Sequence, residues 1–339
     1  MDCTGFNREA FGSGASRLSM ACLSALFSAQ FRCPYFMHLL HSKDCDQARI
    51  LNLFQRAQAY LPVVQERRQV GDAHGKVLAT LFFEPSTRTR FSFETAMLRL
   101  GGSVISNAEM GSTSSAKKGE TLKDTGRVVS EFADILAVRH PQQGSVDEVA
   151  AGSLVPVINA GDGPGDHPTQ GLLDLFTMQR GLGRLDDFTI AMVGDLKYGR
   201  VVHAQCELLM NFKGIRFRFI SPDELKMPAE LVAELRAKGF EVEETADLNR
   251  ALDVDVLSHT RIQQERFPSE ADYLKYKGVY VLTPEFLAQA KEELMILHPL
   301  PRVDEIDPAV DGDARARYFE QVQNGVAVRM ALIAELLNL

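Results

Sequence analysis

The sequence predicts an α/β protein built from parallel sheets with helices on both faces. Three observations carry this. From residue 76 onward, short continuous apolar runs alternate with amphipathic helical patterns, the order that produces parallel strands joined by helical crossovers. The runs are apolar throughout rather than alternating, as strands buried on both faces are. The chain has 339 residues, 45% of them hydrophobic, enough for two domains.

Taken in order, the strand candidates are Val77–Phe83, Asp134–Val138, Val155–Ile158, Thr189–Val193, Arg216–Ile220, Val254–Ser258 and Met295–Leu297. The helices between them bury one face. After the first strand, Phe93, Met97 and Leu100 recur at helical spacing, and Gly101-Gly102 stops the helix, as glycine does just past a helix end. Residues 1–35 stand apart. Arg17 precedes a weakly apolar, serine-broken stretch from Leu18 to Ala29, with Asp2 and Glu9 upstream. A targeting peptide, a disordered extension, and a start assigned too far upstream (Met20 or Met37 being alternatives) all remain open readings of it.

Composition excludes several function classes. The formal net charge is −8, and a general nucleic-acid binder needs an excess of positive charge. No apolar run reaches about 18 residues, the length a spanning helix requires. Five cysteines occur, four of them in the first 45 residues and none in a C-x-x-C pair. That pattern suits reduced thiols in a cytoplasmic protein better than a disulfide framework or a zinc site, and no metal is expected.

In parallel α/β folds ligands collect at the carboxyl ends of the strands, so the residues after each strand are the candidate site. After Phe83 comes Glu84-Pro-Ser-Thr-Arg-Thr-Arg90 and then a helix. Ser86 or Thr87 suits the N-cap, and a helix N-terminus offers free N–H groups to a phosphate. Arg88 adds a planar fork for oxyanions. Alone, this loop is equally well a capped helix with solvated arginines. Arg90 lies four residues before Glu94, the spacing of a structural ion pair. Arg139-His140-Pro141 follows the second strand, and a glycine-rich run leading to His167 and Gln170 follows the third. Gly194-Asp-Leu-Lys-Tyr-Gly-Arg200 follows the fourth, and His259-Thr-Arg261-Ile-Gln263 the sixth; His298-Pro-Leu300-Pro301-Arg302 follows the last. Taken singly, His167 is as well a capping histidine and Arg139 as well a surface ion pair. The polar loop Ser112–Glu120, with Lys117 and Lys118, reads as a solvated basic loop. Together, five strand ends carrying Arg88, Arg139, His167, Arg200 and Arg261 predict a site for strongly anionic ligands. The G-x-G-x-x-G, G-x-S-x-G and H-E-x-x-H patterns are all missing, which weakens NAD-binding and hydrolase readings.

The stretches "STRTRFSFETAMLRLGGSV", "KKGETLKDT", "VRHPQ", "NAGDGPGDHPTQGLLDLFT", "MVGDLKYGRVVHA", "TRIQQER" and "HPLPRVDEID" resemble, in order and spacing, the aspartate carbamoyltransferase catalytic chain of the aspartate/ornithine carbamoyltransferase superfamily. The likeness runs from about residue 37 to the end. It implies two domains, a carbamoyl-phosphate-binding one over 36–168 and an aspartate-binding one over 169–321. A C-terminal helix, about 322–339, would pack back on the first. It implies transfer of a carbamoyl group from carbamoyl phosphate to the amine of L-aspartate, in pyrimidine biosynthesis, without a cofactor. By resemblance, Ser86, Thr87, Arg88 and Thr89 hold the phosphate. Arg139, His167 and Thr89 meet the carbamoyl oxygen, Gln170 its nitrogen, and Leu300 and Pro301 line the pocket. Arg200, Arg261 and Gln263 hold the aspartate carboxylates, with Lys118 also near them. Ser114 and Lys118 are expected to enter a neighbouring subunit's site within a homotrimer. Gln264 stands where the family often has lysine. Regulatory chains or a dihydroorotase are partners the sequence leaves open.

The nearest rival is ornithine carbamoyltransferase. That relative usually carries H-C-L-P where this chain has His298-Pro-Leu-Pro301, and a cationic ornithine side chain would not favour Arg261. A catalytically silent, structural carbamoyltransferase-like subunit would be expected to have lost Arg88 or Lys118; both are present.

Overall fold

The computed structural model describes residues 37–112, 118–262, 269 and 273–339. Ser114 and Gln263 therefore lie outside the described residues, as does the extension 1–35. Among the described residues two all-parallel sheets form. The first has the order β2-β1-β3-β4, from β1 (Val77–Phe82), β2 (Ser103–Asn107), β3 (Ile135–His140) and β4 (Val157–Asp162). The second has the order β7-β6-β5-β8-β9, from β5 (Thr189–Val193), β6 (Arg216–Ile220), β7 (Glu241–Thr245), β8 (Val256–His259) and β9 (Met295–Leu297).

The central strands are buried on both faces: Leu78, Ala79, Leu136, Ile190 and Met192 are fully enclosed. Those were legible as apolar runs. The two strands that the sequence pattern does not reveal, β2 and β7, are edge strands. Their sequences, SVISN and EVEET, are polar or charged and mostly exposed or half-buried, as an edge that discourages stray pairing should be. Parallel registers tie them in, with Val77 opposite Ser103 and Arg216 opposite Glu241. A second departure is β4, which runs to Asp162 rather than ending at Ile158. The pairing with β3 carries it there, with His140 opposite Asp162, while Asn159 ties the strand to the N-terminal segment, its N–H donating to the Leu39 carbonyl (2.8 Å) and its side-chain amide to the Leu40 carbonyl (2.7 Å). The N-terminal segment thereby flanks the strand at Ile158, and β3 pairs with the part that looked like a glycine-rich loop.

Helix α1 (Gln47–Gln65) and the helix after β1, α2 (Thr87–Arg99), cover the first sheet. Phe93 and Met97 are buried in α2, and Gly101 beyond it takes φ +85°, as the spacing predicted. The short helices α3 (Leu122–Val129) and α4 (Ser145–Gly152) follow, and α5 (Pro168–Leu182) runs from the first sheet to the second. Helices α6 (Arg200–Leu209), α7 (Ala229–Ala237) and the single turn α8 (Pro284–Leu287) belong to the second half, and α9 (Tyr318–Leu336) closes the chain. Helix α9 returns to pack on α1, α2 and α5. Arg49 of α1 donates to Glu335 of α9 at 2.7 Å, and Asn324 of α9 donates to Thr177 of α5 at 2.9 Å. Among the described residues no helix is long and apolar enough to cross a membrane.

Candidate active site

The carboxyl ends of both sheets open on one cleft of about 310 Å³. Each wall follows from a strand-to-helix junction. At the end of β1, Ser86 occupies the N-cap of α2 but makes no capping hydrogen bond, so the first N–H groups of the helix are not satisfied by its hydroxyl. Ser86, Arg88 and Thr89 line the cleft; Thr87, the first helical residue, is exposed and does not. Arg90 points to other work, 3.4 Å from Glu94 in the expected i,i+4 pair. Glu94 also accepts from Ser106 of β2 at 2.6 Å.

Arg139 lies within β3, one residue before its end, where the pairing with β4 shifts register between Val138 and His140. Such irregularities re-aim side chains. Its guanidinium is buried and donates to Glu84 at 3.1 Å, while Nε has no partner. Across β4, Gly161 takes φ +127°; a Cβ there would stand 2.9 Å from Arg139 Nη1 and 3.5 Å from Arg200 Nη2. Only a bare backbone lets the two arginines sit side by side. Arg200, the first residue of α6, also donates to the Gly163 carbonyl.

His167 is the N-cap of α5 and is buried. Asp166 fixes the turn before it, accepting from the His167 N–H (2.6 Å) and the Ser42 hydroxyl (2.8 Å). Burial first, and then the charges of Arg200, Arg139 and Arg329, hold the His167 imidazole well below its usual pKa, so it is neutral at pH 7 and Nδ1 has no protein partner. Arg88 is pulled down too, by burial and by Arg139. Gln170, one turn into α5, lines the cleft. The second sheet supplies Arg261 after β8 and Leu300 and Pro301 after β9. His298 anchors that last loop: its Nδ1 accepts from the Leu300 N–H (2.9 Å), leaving Nε2 to donate to Glu305 (2.8 Å).

The structure thus gathers Ser86, Arg88, Thr89, Arg139, His167, Gln170, Arg200, Arg261, Leu300 and Pro301 into one cleft. Lys118 is exposed and lies outside that lining. Glu84, Tyr198, Thr260 and His298 also line the cleft; all four sit inside the strand-end stretches singled out in the sequence, but none was assigned a role there. Among the described residues no group of histidine, cysteine and acidic side chains could hold a metal ion. Four arginines and a neutral histidine around one small cavity can bind two anions at once and supply hydrogen-bond donors to an oxygen that gains charge.

The chain is similar to known proteins over most of its length. Residues 37–180 match the carbamoyl-phosphate-binding domain, and residues 186–336 the aspartate/ornithine-binding domain, of the aspartate/ornithine carbamoyltransferases. The chain belongs to this family. Within it, the likeness is to the aspartate branch. The aspartate carbamoyltransferase catalytic subunit of Thermococcus gammatolerans is 50% identical over 292 residues, which is 86% of this chain and 94% of that one. The solved catalytic subunit of Methanocaldococcus jannaschii aspartate transcarbamoylase superposes with a TM-score of 0.83 at 46% identity, covering 89% of this chain and 98% of that one. The Trypanosoma cruzi enzyme, solved with carbamoyl phosphate and aspartate, gives 0.81 at 37% identity, over 87% and 95%.

Proposed function

We propose that the protein transfers the carbamoyl group of carbamoyl phosphate to the amine of L-aspartate, giving N-carbamoyl-L-aspartate and phosphate for pyrimidine biosynthesis. The observation that carries this reading is the convergence of Arg88, Arg139, Arg200 and Arg261 on one cleft. A phosphate and two carboxylates side by side repel one another, and guanidinium forks are the groups that hold them together. The N-terminus of α2, with Ser86, Thr87, Arg88 and Thr89, takes the phosphate. Arg200, Arg261 and Gln263 take the aspartate carboxylates, with Lys118 close by. The first sheet then belongs to the carbamoyl phosphate half (36–168 with the C-terminal helix) and the second to the aspartate half (169–321).

The neutral amine attacks the carbamoyl carbon, and negative charge grows on the former carbonyl oxygen. Thr89, Arg139 and His167 donate to that oxygen; a neutral His167 can do so without charge repulsion from the arginines around it. Gln170 faces the carbamoyl nitrogen, and Leu300 and Pro301 close the pocket. Phosphate leaves with its charge balanced by Arg88 and Lys118, and can carry off the amine proton. No covalent enzyme intermediate is needed, because the substrate is already activated. Holding the two reactants in attack geometry contributes up to about 7–11 kcal/mol. Arg261 in the cleft, together with the names of the relatives, favours aspartate over ornithine.

The exposed Lys118 is read as acting with Ser114 in the cleft of a neighbouring subunit of a homotrimer. Exposed apolar side chains at Phe91 and Ile105, on α2 and the edge strand β2, suit a subunit contact. Buried, free Cys45 and Cys206 agree with a reducing, cytoplasmic setting. Purified protein supplied with carbamoyl phosphate is expected to consume aspartate and leave ornithine untouched; the opposite preference refutes the assignment. Mixed trimers of Arg88→Ala and Lys118→Ala chains are expected to regain activity that neither variant has alone. Proven mixing without recovery rules out the shared site.

A further inference from the structure

Behind the cleft, Asp174 of α5 is fully buried and collects three side-chain amides. Gln170 Nε2 donates to its Oδ1 at 2.9 Å, Gln321 Nε2 to the same oxygen at 2.6 Å, and Gln205 Nε2 to Oδ2 at 2.6 Å. Arg329 is the cation whose charge reaches it. The orientation of these amides is determined rather than arbitrary. Gln321 Oε1 accepts from the backbone N–H of His298 at 2.9 Å; a backbone N–H can only donate, so the Gln321 nitrogen must face Asp174. Asp174 Oδ1 already accepts from Gln321, so a proton bound by the carboxyl sits on Oδ2, and Gln170, which meets the same Oδ1, turns its nitrogen inward in either protonation state. Its Oε1 is then the end left for the cleft that Gln170 lines.

We propose that Asp174 is a positioning residue that makes the pocket specific for a carbamoyl group. By locking the Gln170 amide it presents an acceptor to the two N–H bonds of the carbamoyl nitrogen, and through Gln321 and His298 it sets the loop bearing Leu300 on the opposite side. This rests on the function proposed above. An acyl phosphate with a methyl in place of the amine has the same shape and the same phosphate. It leaves Gln170 Oε1 buried without a donor, and a site built to hydrogen-bond an N–H rejects the analogue lacking it. Were the amide free to turn, its NH2 would face the ligand and the discrimination would fall.

The test uses the full chain and three probes: carbamoyl phosphate (KM), acetyl phosphate (inhibition constant against it) and inorganic phosphate (Kd). Asp174→Leu keeps the volume and removes every acceptor. It is expected to narrow the preference for carbamoyl over acetyl phosphate by about tenfold, the equivalent of one buried hydrogen bond, with phosphate affinity within about twofold of wild type. Asp174→Asn is expected to restore the preference. Its single oxygen can serve Gln170 and Gln321, because Gln205, whose other partner is the Ser258 hydroxyl at 2.9 Å, can turn to meet the new NH2. An unchanged preference in Asp174→Leu overturns the proposal, as does equal weakening of all three ligands, the mark of a merely structural role. Asp174→Ala replaces Asp174→Leu should that chain not fold, and failure of both to fold assigns the carboxylate to stability and withdraws the proposal. Wild-type protein that forms no carbamoyl-aspartate refutes the proposed function instead; the positioning role fails by itself when the wild type is active and the variants keep its selectivity.

Discussion

Two polar clusters lie on either side of Gln170, and they solve opposite problems. In the cleft, four arginines share one space with one carboxylate, that of Glu84, among the described residues. Burial first, and then the neighbouring positive charge, pulls Arg88 and His167 toward their neutral forms. Behind it, Asp174 is a buried carboxyl held mainly by neutral amides. On the function proposed above, the first cluster takes anionic ligands. The second is complete in the folded chain and fixes shape. Removing a residue from the first is expected to cost function with little effect on the fold, whereas removing one from the second acts through the shape it holds, and this difference can be tested.

The largest effect is expected for Arg88→Ala. Loss of a cation facing the phosphate should lower kcat/KM by at least about 10²–10³-fold, the cost of one preorganised charge-stabilising donor. Thermal unfolding should barely move, because the substitution relieves repulsion with Arg139. Near-normal turnover, or a chain that no longer folds, would break the contrast between the clusters.

His167→Asn comes next. A donor to the developing oxyanion is lost, so kcat should drop about 10²-fold. The drop should be the same at pH 6 and pH 8, because the imidazole titrates well below its usual value and is neutral at both. The linkage has a definite sign. The unfolded chain protonates His167 near pH 6.5 while the folded chain does not, so this residue makes unfolding easier as pH falls below about 6.5. A kinetic limb near pH 6.5 that His167→Asn abolishes would show the histidine titrating in the working enzyme.

Much of this arrangement was legible in the sequence, and the reasons are local. Buried central strands announce themselves as apolar runs, and the cationic residues at their ends mark the cleft. Strands β2 and β7 were not legible, because an edge strand owes its existence to its neighbour's hydrogen bonds and carries no apolar signature. The extension of β4 through Gly161 was hidden for a similar reason, being set by its pairing with β3, where His140 stands opposite Asp162. Glu84 was visible in the chain but its pairing with Arg139 was not, since 55 residues separate them. Asp174 lies in a stretch quoted for its family likeness, yet its role depends on glutamines from two other helices that no local pattern connects.

A smaller effect is expected for Asp174→Asn, read as stability against pH. Burial raises the Asp174 carboxyl to about 7, against the lowering effect of three amides and Arg329. Unfolded, the same group titrates near 3.9. Between these values the folded chain holds a proton that the unfolded chain releases, so this group's contribution to stability falls as pH rises from about 4 to about 7. The neutral variant lacks that loss. Its Tm relative to wild type should climb between pH 5 and pH 8, by the equivalent of about 1–3 kcal/mol. A difference that is flat with pH would show that the amides hold Asp174 ionised throughout.

Arg90→Ala should do least, and it sharpens the comparison most closely, since Arg90 is two residues from Arg88. Its Nε stands 3.4 Å from Glu94, and its guanidinium lies 5.4 Å from the centre of the Phe91 ring. Neither contact faces the cleft, which Arg90 does not line. Removing it leaves Glu94 with the Ser106 hydroxyl as donor, so no carboxylate is stranded. The loss should be about 0.3–0.5 kcal/mol of stability, the worth of one i,i+4 pair on a helix, with kcat/KM within about twofold of wild type. Salt should reduce the stability difference only in part, because the two side chains are 25% and 20% exposed and a partly buried pair is screened less than a surface one. If Arg90→Ala instead weakens phosphate binding as Arg88→Ala does, the two arginines share one task, and the division between ligand-completed and internally completed charge fails at the loop where it was drawn.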